Sequence, residues 1–142
     1  MRLGSFLKNG DVICLEGDLG SGKTTLVQGV ATGWGSLDQA SSPTFVLVNV
    51  YRHPQGGCLY HLDAYRLKDD REAEDLDLEA MLEAGPLVIE WAERIQKALP
   101  DDNLWIRFSH VSIEQRDLVF RAQGDHYRNL VALLRRHVYG VR

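Results

Sequence analysis

The chain has little that would place it outside a cell or in a membrane. It has two cysteines in 142 residues, Cys14 and Cys58, with no metal-ligand spacing between them. That excludes a disulfide framework and a cysteine-based zinc site, and it fits small buried thiols in a reducing compartment. No secretory leader and no apolar run near the length of a bilayer span is present, so the expectation is a soluble, cytoplasmic protein without membrane contact. Low-complexity tracts are missing too. Positive charge is in deficit: the net charge of −4 argues against broad binding to a phosphate backbone by this chain alone. What remains is an ordinary globular composition, 44% hydrophobic and 25% charged, long enough for one domain over residues 1–142.

Against that background one stretch organises the chain: Gly17-Asp18-Leu19-Gly20-Ser21-Gly22-Lys23-Thr24, followed by Thr25-Leu26-Val27. It fits the phosphate-binding P-loop, a glycine, four residues, then Gly-Lys-Thr. Glycines let the backbone turn its N–H groups inward around phosphate oxygens. The Lys23 ammonium can reach the outer phosphates, and the Thr24 hydroxyl can take one position on a Mg²⁺ ion. A helix opening at Gly22 or Lys23 directs its positive end to the same anion. The context agrees: Val12 to Leu15 is apolar and reads as a buried strand, and Leu26, Val27 and Val30 follow at helical spacing.

Before this unit, Leu3, Phe6 and Leu7 suggest the end of an amphipathic helix closed by Asn9-Gly10. After it, Gly33-Trp34-Gly35 breaks the helical pattern. Val46 to Arg52 and Cys58 to Asp63 flank the turn His53-Pro54-Gln55-Gly56-Gly57 and read as an antiparallel hairpin. In its second strand Leu59, His61 and Asp63 share one face. Ahead of the hairpin, Thr44 in Ser42-Pro43-Thr44 is either a turn hydroxyl or a switch residue that senses metal or phosphate.

Asp63 ends an apolar strand, where P-loop proteins place a carboxylate that holds Mg²⁺ directly or through water; a helix N-cap is the plainer alternative. The acidic segment Asp69 to Glu83 retains Leu76, Leu78, Met81 and Leu82, the pattern of one or two short helices with a solvated face. Leu87-Val88-Ile89-Glu90-Trp91 repeats the arrangement of Asp63: a buried strand with a carboxylate at its end, Glu90, suited to Mg²⁺ or to positioning the attacking water. Ala92 to Leu99 reads as a helix ended by Pro100. Asn103 to Phe108 and Gln115 to Arg121 alternate as strands, with Leu104, Ile106 and Phe108 on one half-buried face. Asp125 to His137 carries Tyr127, Leu130, Val131 and Leu134 at helical spacing.

Taken together, Gly-Asp-Leu-Gly-Ser-Gly-Lys-Thr-Thr (17–25), Ser-Pro-Thr-Phe (42–45), His-Leu-Asp-Ala-Tyr-Arg-Leu (61–67) and Ile-Glu-Trp (89–91) with Glu93 closely resemble the TsaE (also called YjeE) family. These are small bacterial P-loop ATPases of tRNA threonylcarbamoyladenosine (t⁶A) biosynthesis. The resemblance implies a P-loop NTPase-like three-layer α/β fold with a mixed parallel and antiparallel sheet, and ATP with Mg²⁺ as ligands. It implies slow, partner-dependent hydrolysis that lets a TsaD–TsaB complex turn over, with tRNA met only indirectly or weakly. By residue, it implies that 18–25 (Asp18, Leu19, Gly20, Ser21, Gly22, Lys23, Thr24, Thr25) bind nucleotide. Thr24 and Glu90 would hold Mg²⁺, Thr44 would be the switch, Asp63 would organise the water or metal shell, and Trp91 would pack beside the site. The family pattern starts with a further strand and most of a helix; this chain begins later, so that part of the base site is expected to be missing or shortened. Ala92 stands where many relatives have proline, a mild change in helix entry.

Two other readings use the same residues. A small-molecule kinase would share the P-loop and carboxylates, but no arginine-rich lid segment is present. A nucleotide-dependent interaction module would need binding without essential hydrolysis. A GTPase is disfavoured because Asn-Lys-x-Asp and Asp-x-x-Gly are absent. No arginine is clearly placed as a finger in cis; Arg66 is the nearest.

Overall fold

The computed structural model describes residues 2–17, 23–38, 48–67, 70–74, 76–110 and 116–139. Six strands form one sheet in the order β2-β3-β4-β1-β5-β6. They are β1 (Val12–Glu16), β2 (Val48–Arg52), β3 (Cys58–Asp63), β4 (Leu87–Glu90), β5 (Asn103–His110) and β6 (Arg116–Gln123). The four central strands, β3, β4, β1 and β5, run parallel, and β2 and β6 close the two edges antiparallel. The mixed sheet and the β2–β3 hairpin are as the sequence predicts.

Helices cover both faces, which is why β1 reads as a continuous apolar run instead of an alternating one. On one face Ile13, Leu15, Val88, Leu104 and Ile106 pack against α1 (Arg2–Ser5), α2 (Lys23–Trp34) and α5 (Asp125–Tyr139), through Leu3, Val27, Val30, Tyr127 and Leu130. On the other, Val12, Cys14, Leu87, Ile89 and Trp105 meet Ala73 of α3 (Asp70–Glu74), Leu78 of α4 (Leu78–Ala84) and Ile95. The result is three layers. Cys14 is fully buried, and that burial pushes its thiol far above the ordinary range, so it is an inert core residue; Cys58 is half-buried.

Helix α2 runs on through Gly33 and Trp34 and stops at Gly35 (φ +104°). There Ser36 N–H donates to Ala31 O at 3.0 Å and Gly35 N–H to Thr32 O at 3.1 Å, a Schellman closure that needs the left-handed glycine. Helix α1 lies so close to α2 that a Cβ on Gly4 would sit 2.0 Å from the Val30 carbonyl oxygen.

Three local expectations are corrected. The segment expected as a helix over Ala92–Leu99 is a 3₁₀ run, Ala92–Ala98, kinked at Ile95 (φ −129°). In 3₁₀ geometry residues three apart eclipse, which lets Ala92 and Ile95 both bury under the sheet. Strand β5 is more covered than the half-buried pattern implies: on the face opposite Leu104 and Ile106, Trp105 is buried while Arg107 stays exposed. Trp91 is not part of β4: it takes a left-handed conformation that ends the strand. Residues 46, 47 and 115, expected at strand starts, lie outside the described residues.

Candidate functional site

Parallel strands deliver their carboxyl ends to one edge of the sheet, where open α/β folds bind ligands. In register, Glu90 of β4 stands beside Asp63 of β3 on one side and Leu15 of β1 on the other. The chain leaves β1 through Gly17 (φ +140°), and α2 starts at Lys23 on the same edge. The Lys23 side chain is buried, with 4% exposure, and its Nζ donates to the Gly17 carbonyl oxygen at 2.6 Å. The same ammonium lies 3.7 Å from the ring centroid of Trp91. An aromatic face attracts a cation, most strongly where water is excluded.

Trp91 reaches this position at φ 59°, ψ 39°, a region costly for a bulky residue. Its indole also packs on Tyr65 at 5.0 Å between centroids, and the Arg94 guanidinium lies over the Tyr65 ring. Tyr65 is carried by the 3₁₀ turn Ala64–Arg66, which Asp63 caps: its Oδ1 accepts from Tyr65 N–H at 3.0 Å. Asp63 therefore takes the N-cap role at the strand end and still presents a carboxylate beside Glu90.

Glu90 is 6% exposed, and a buried carboxylate needs compensating partners. His61 supplies one: its Nε2 is 2.6 Å from Glu90 Oε2. Its Nδ1 is 3.0 Å from the Tyr51 hydroxyl on β2. Glu93, just past Trp91, keeps part of its surface in solvent. Crowding around its carboxyl nevertheless pushes it above the ordinary range; the charge of Glu16 adds to this, while Lys23 opposes it.

Of the sequence-predicted residues, Lys23, Asp63, Glu90 and Trp91 come together at one edge. Thr24 and Thr25 open α2; Thr25 is exposed, and the Thr24 and Arg66 side chains lie outside the described residues. Asp18, Leu19, Gly20, Ser21, Gly22 and Thr44 lie outside them as well. The sequence reading did not single out Tyr51, Glu16 or His61 for the site. His61 had a signal, its alternation onto the face of Asp63, but its pairing with Glu90 depends on strand register.

The donor chemistry fits Mg²⁺. Among the described residues no three His, Cys, Asp or Glu side chains converge as a metal cage. Mg²⁺ asks for less: hard oxygen from one or two carboxylates, completed by waters and phosphates. Asp63 and Glu90, adjacent in register, match that demand.

A model of the family described as "Threonylcarbamoyl adenosine biosynthesis protein TsaE" matches residues 1–118. The chain belongs to the TsaE family. It is 40% identical over 136 residues to the tRNA threonylcarbamoyladenosine biosynthesis protein TsaE of Bacillus subtilis, covering 94% of this chain and 83% of that protein. The Streptomyces coelicolor protein of the same name is 41% identical over 122 residues, 83% of this chain and 81% of its own length. Among solved structures, a crystal structure of Bacillus subtilis YdiB superposes with a TM-score of 0.78 at 34% identity, over 96% of this chain and 84% of that one. The TsaE match contains Lys23, Asp63, Glu90 and Trp91, whereas α5 lies beyond it.

Proposed function

We propose that this TsaE-family chain binds ATP with Mg²⁺ at the edge formed by β1, β3 and β4 and hydrolyses it slowly. In this reading hydrolysis serves tRNA threonylcarbamoyladenosine synthesis by resetting a TsaD–TsaB complex, and tRNA is met only through those partners. One observation carries it. The Gly17–Thr24 pattern joins a buried central parallel strand to a helix, and its lysine is held within the same edge as two strand-terminal carboxylates.

The roles follow from chemistry. Lys23, already desolvated, exchanges the Gly17 carbonyl for phosphate oxygens, a stronger charge-assisted contact. Glu90 and the Thr24 hydroxyl hold Mg²⁺, while Asp63 orders the metal shell or the attacking water. When bound, the ion neutralises charge on the phosphates. Thr44 acts as the switch hydroxyl, residues 18–22 with Thr24 and Thr25 cradle the phosphates, and Trp91 shields Lys23 from water. Phosphoryl transfer to water then rests on positioning and charge neutralisation. In this reading turnover by the chain alone is slow, and stimulation comes from the partners. The place of work, in the same reading, is the cytoplasm. Among the described residues no helix is long and apolar enough to cross a membrane.

Phosphate release in the presence of TsaD and TsaB tests the assignment. Lys23→Ala should lose ATP binding. Glu90→Ala should keep binding and lose hydrolysis by about 100-fold or more, the scale of a lost transition-state contact. Wild-type turnover in Lys23→Ala would overturn the reading.

A further inference from the structure

We propose that His61 is a positioning residue for Glu90, held in one tautomer by Tyr51. The inference rests on the proposed ATPase reading, since it assigns Glu90 its orientation within that site.

The three side chains form one buried chain of contacts across β2, β3 and β4. Tyr51 is 3% exposed, His61 0% and Glu90 6%, so water does not compete for their polar atoms. An ionised carboxylate only accepts, so the 2.6 Å contact at Glu90 Oε2 requires the hydrogen on His61 Nε2. In the neutral ring Nδ1 is then the acceptor, and the Tyr51 hydroxyl, 3.0 Å away, is its donor. For a neutral ring beside an ionised Glu90, this is the tautomer that satisfies both contacts. The strand framework fixes the participants: Tyr51 pairs with Leu59 across the hairpin, and Asp63, two residues beyond His61, pairs with Glu90. A glutamate side chain has three torsions, and pinning one carboxylate oxygen sets the direction in which the other is presented. Carboxylates and imidazoles that support a metal from outside its ligand shell act in this way, and their loss costs about 10–100-fold in affinity or activity.

A purely structural histidine would satisfy a buried pair and do nothing more, so the test separates geometry from stability. In the ligand-free protein labelled with ¹⁵N-histidine, His61 should be the Nε2–H tautomer; the Nδ1–H tautomer would overturn the proposal. His61→Leu removes the donor. It should leave Mg²⁺-free ATP affinity within about threefold of wild type while reducing the gain from Mg²⁺, and lowering kcat, by about tenfold or more. His61→Gln, whose amide N–H₂ reaches toward the same oxygen, should restore most of both. Tyr51→Phe, which deletes only the hydroxyl, should lower both in the same direction by a smaller factor and serves as the measurement if His61→Leu does not fold. Wild-type Mg²⁺ dependence in His61→Leu, or in Tyr51→Phe where it is the one measured, would overturn the inference. So would His61→Gln as impaired as His61→Leu with both folded. Lys23→Ala, run alongside, distinguishes the two failures: if it loses ATP binding while the His61 variants behave as wild type, the ATPase reading stands and this inference falls.

Discussion

Tyr127 shows how one buried polar atom ties the last helix to the first strand. Its side chain is enclosed, and its hydroxyl accepts from Val12 N–H at 2.9 Å, a buried donor at the start of the central strand. Burial pushes its phenol from the ordinary value of 10.0 to about 12. The raised folded value means that the neutral form is favoured by folding: the stabilisation is full below pH 10 and is lost as pH climbs to about 12. That loss should amount to about 2–3 kcal/mol. Tyr127→Phe should destabilise the protein at neutral pH by about 1–3 kcal/mol, because the Val12 N–H loses its acceptor. It should also flatten the alkaline decline seen by urea denaturation between pH 9 and 12. An identical alkaline slope in the variant would contradict this account of Tyr127. At this scale the sequence was informative about residue types and faces. Asp63 and Glu90 were legible as strand-terminal carboxylates, and Tyr127 as a core position. The left-handed backbone of Trp91 was not, because an apolar residue following Ile89-Glu90 continues a strand pattern and nothing local marks the break.

Elements were more legible than their geometry. The hairpin, the P-loop strand and helix, and α5 all carry their period in the chain. Residues 92–99 carry a helical period as well, yet the burial of Ala92 and Ile95 tightens them to 3₁₀. Strand β5 misled because Trp105 interrupts the alternation with a residue that suits either face; only its place inside the sheet, between β1 and β6, settles which side is covered. Gly4 belongs to this scale. Its meaning lies in the crossing of α1 over α2, where a Cβ would meet backbone at 2.0 and 2.6 Å, from Val30 O and Trp34 N. Neither atom can rotate away. Gly4→Ala should therefore push α1 off α2 and cost about 1–3 kcal/mol, the usual penalty of overpacking. The urea midpoint reports this directly, and an unchanged midpoint would mean that the two helices do not approach as closely as described.

For the whole molecule, fold class follows from the order of apolar strands and helices, but the strand order does not. Placing β1 between β4 and β5 joins segments more than 70 residues apart, and only the assembled sheet brings Glu90 next to both Asp63 and the end of β1. The site was legible as a set of residue types around Lys23; its second layer, His61 and Tyr51, was not, because it exists only once β2, β3 and β4 are in register. Membership of the TsaE family supplies the process, threonylcarbamoyladenosine synthesis, and the edge of the sheet supplies the chemistry proposed for it.

The central claim is that this edge binds ATP in service of that process, and calorimetry tests it most directly. Mg²⁺–ATP and Mg²⁺–GTP would be titrated into the chain alone, then into the chain with TsaD and TsaB, with Lys23→Ala as the paired variant. The account predicts selective ATP binding that tightens with the partners and vanishes in Lys23→Ala. ATP binding indifferent to the partners, or retained in full by Lys23→Ala, would contradict it.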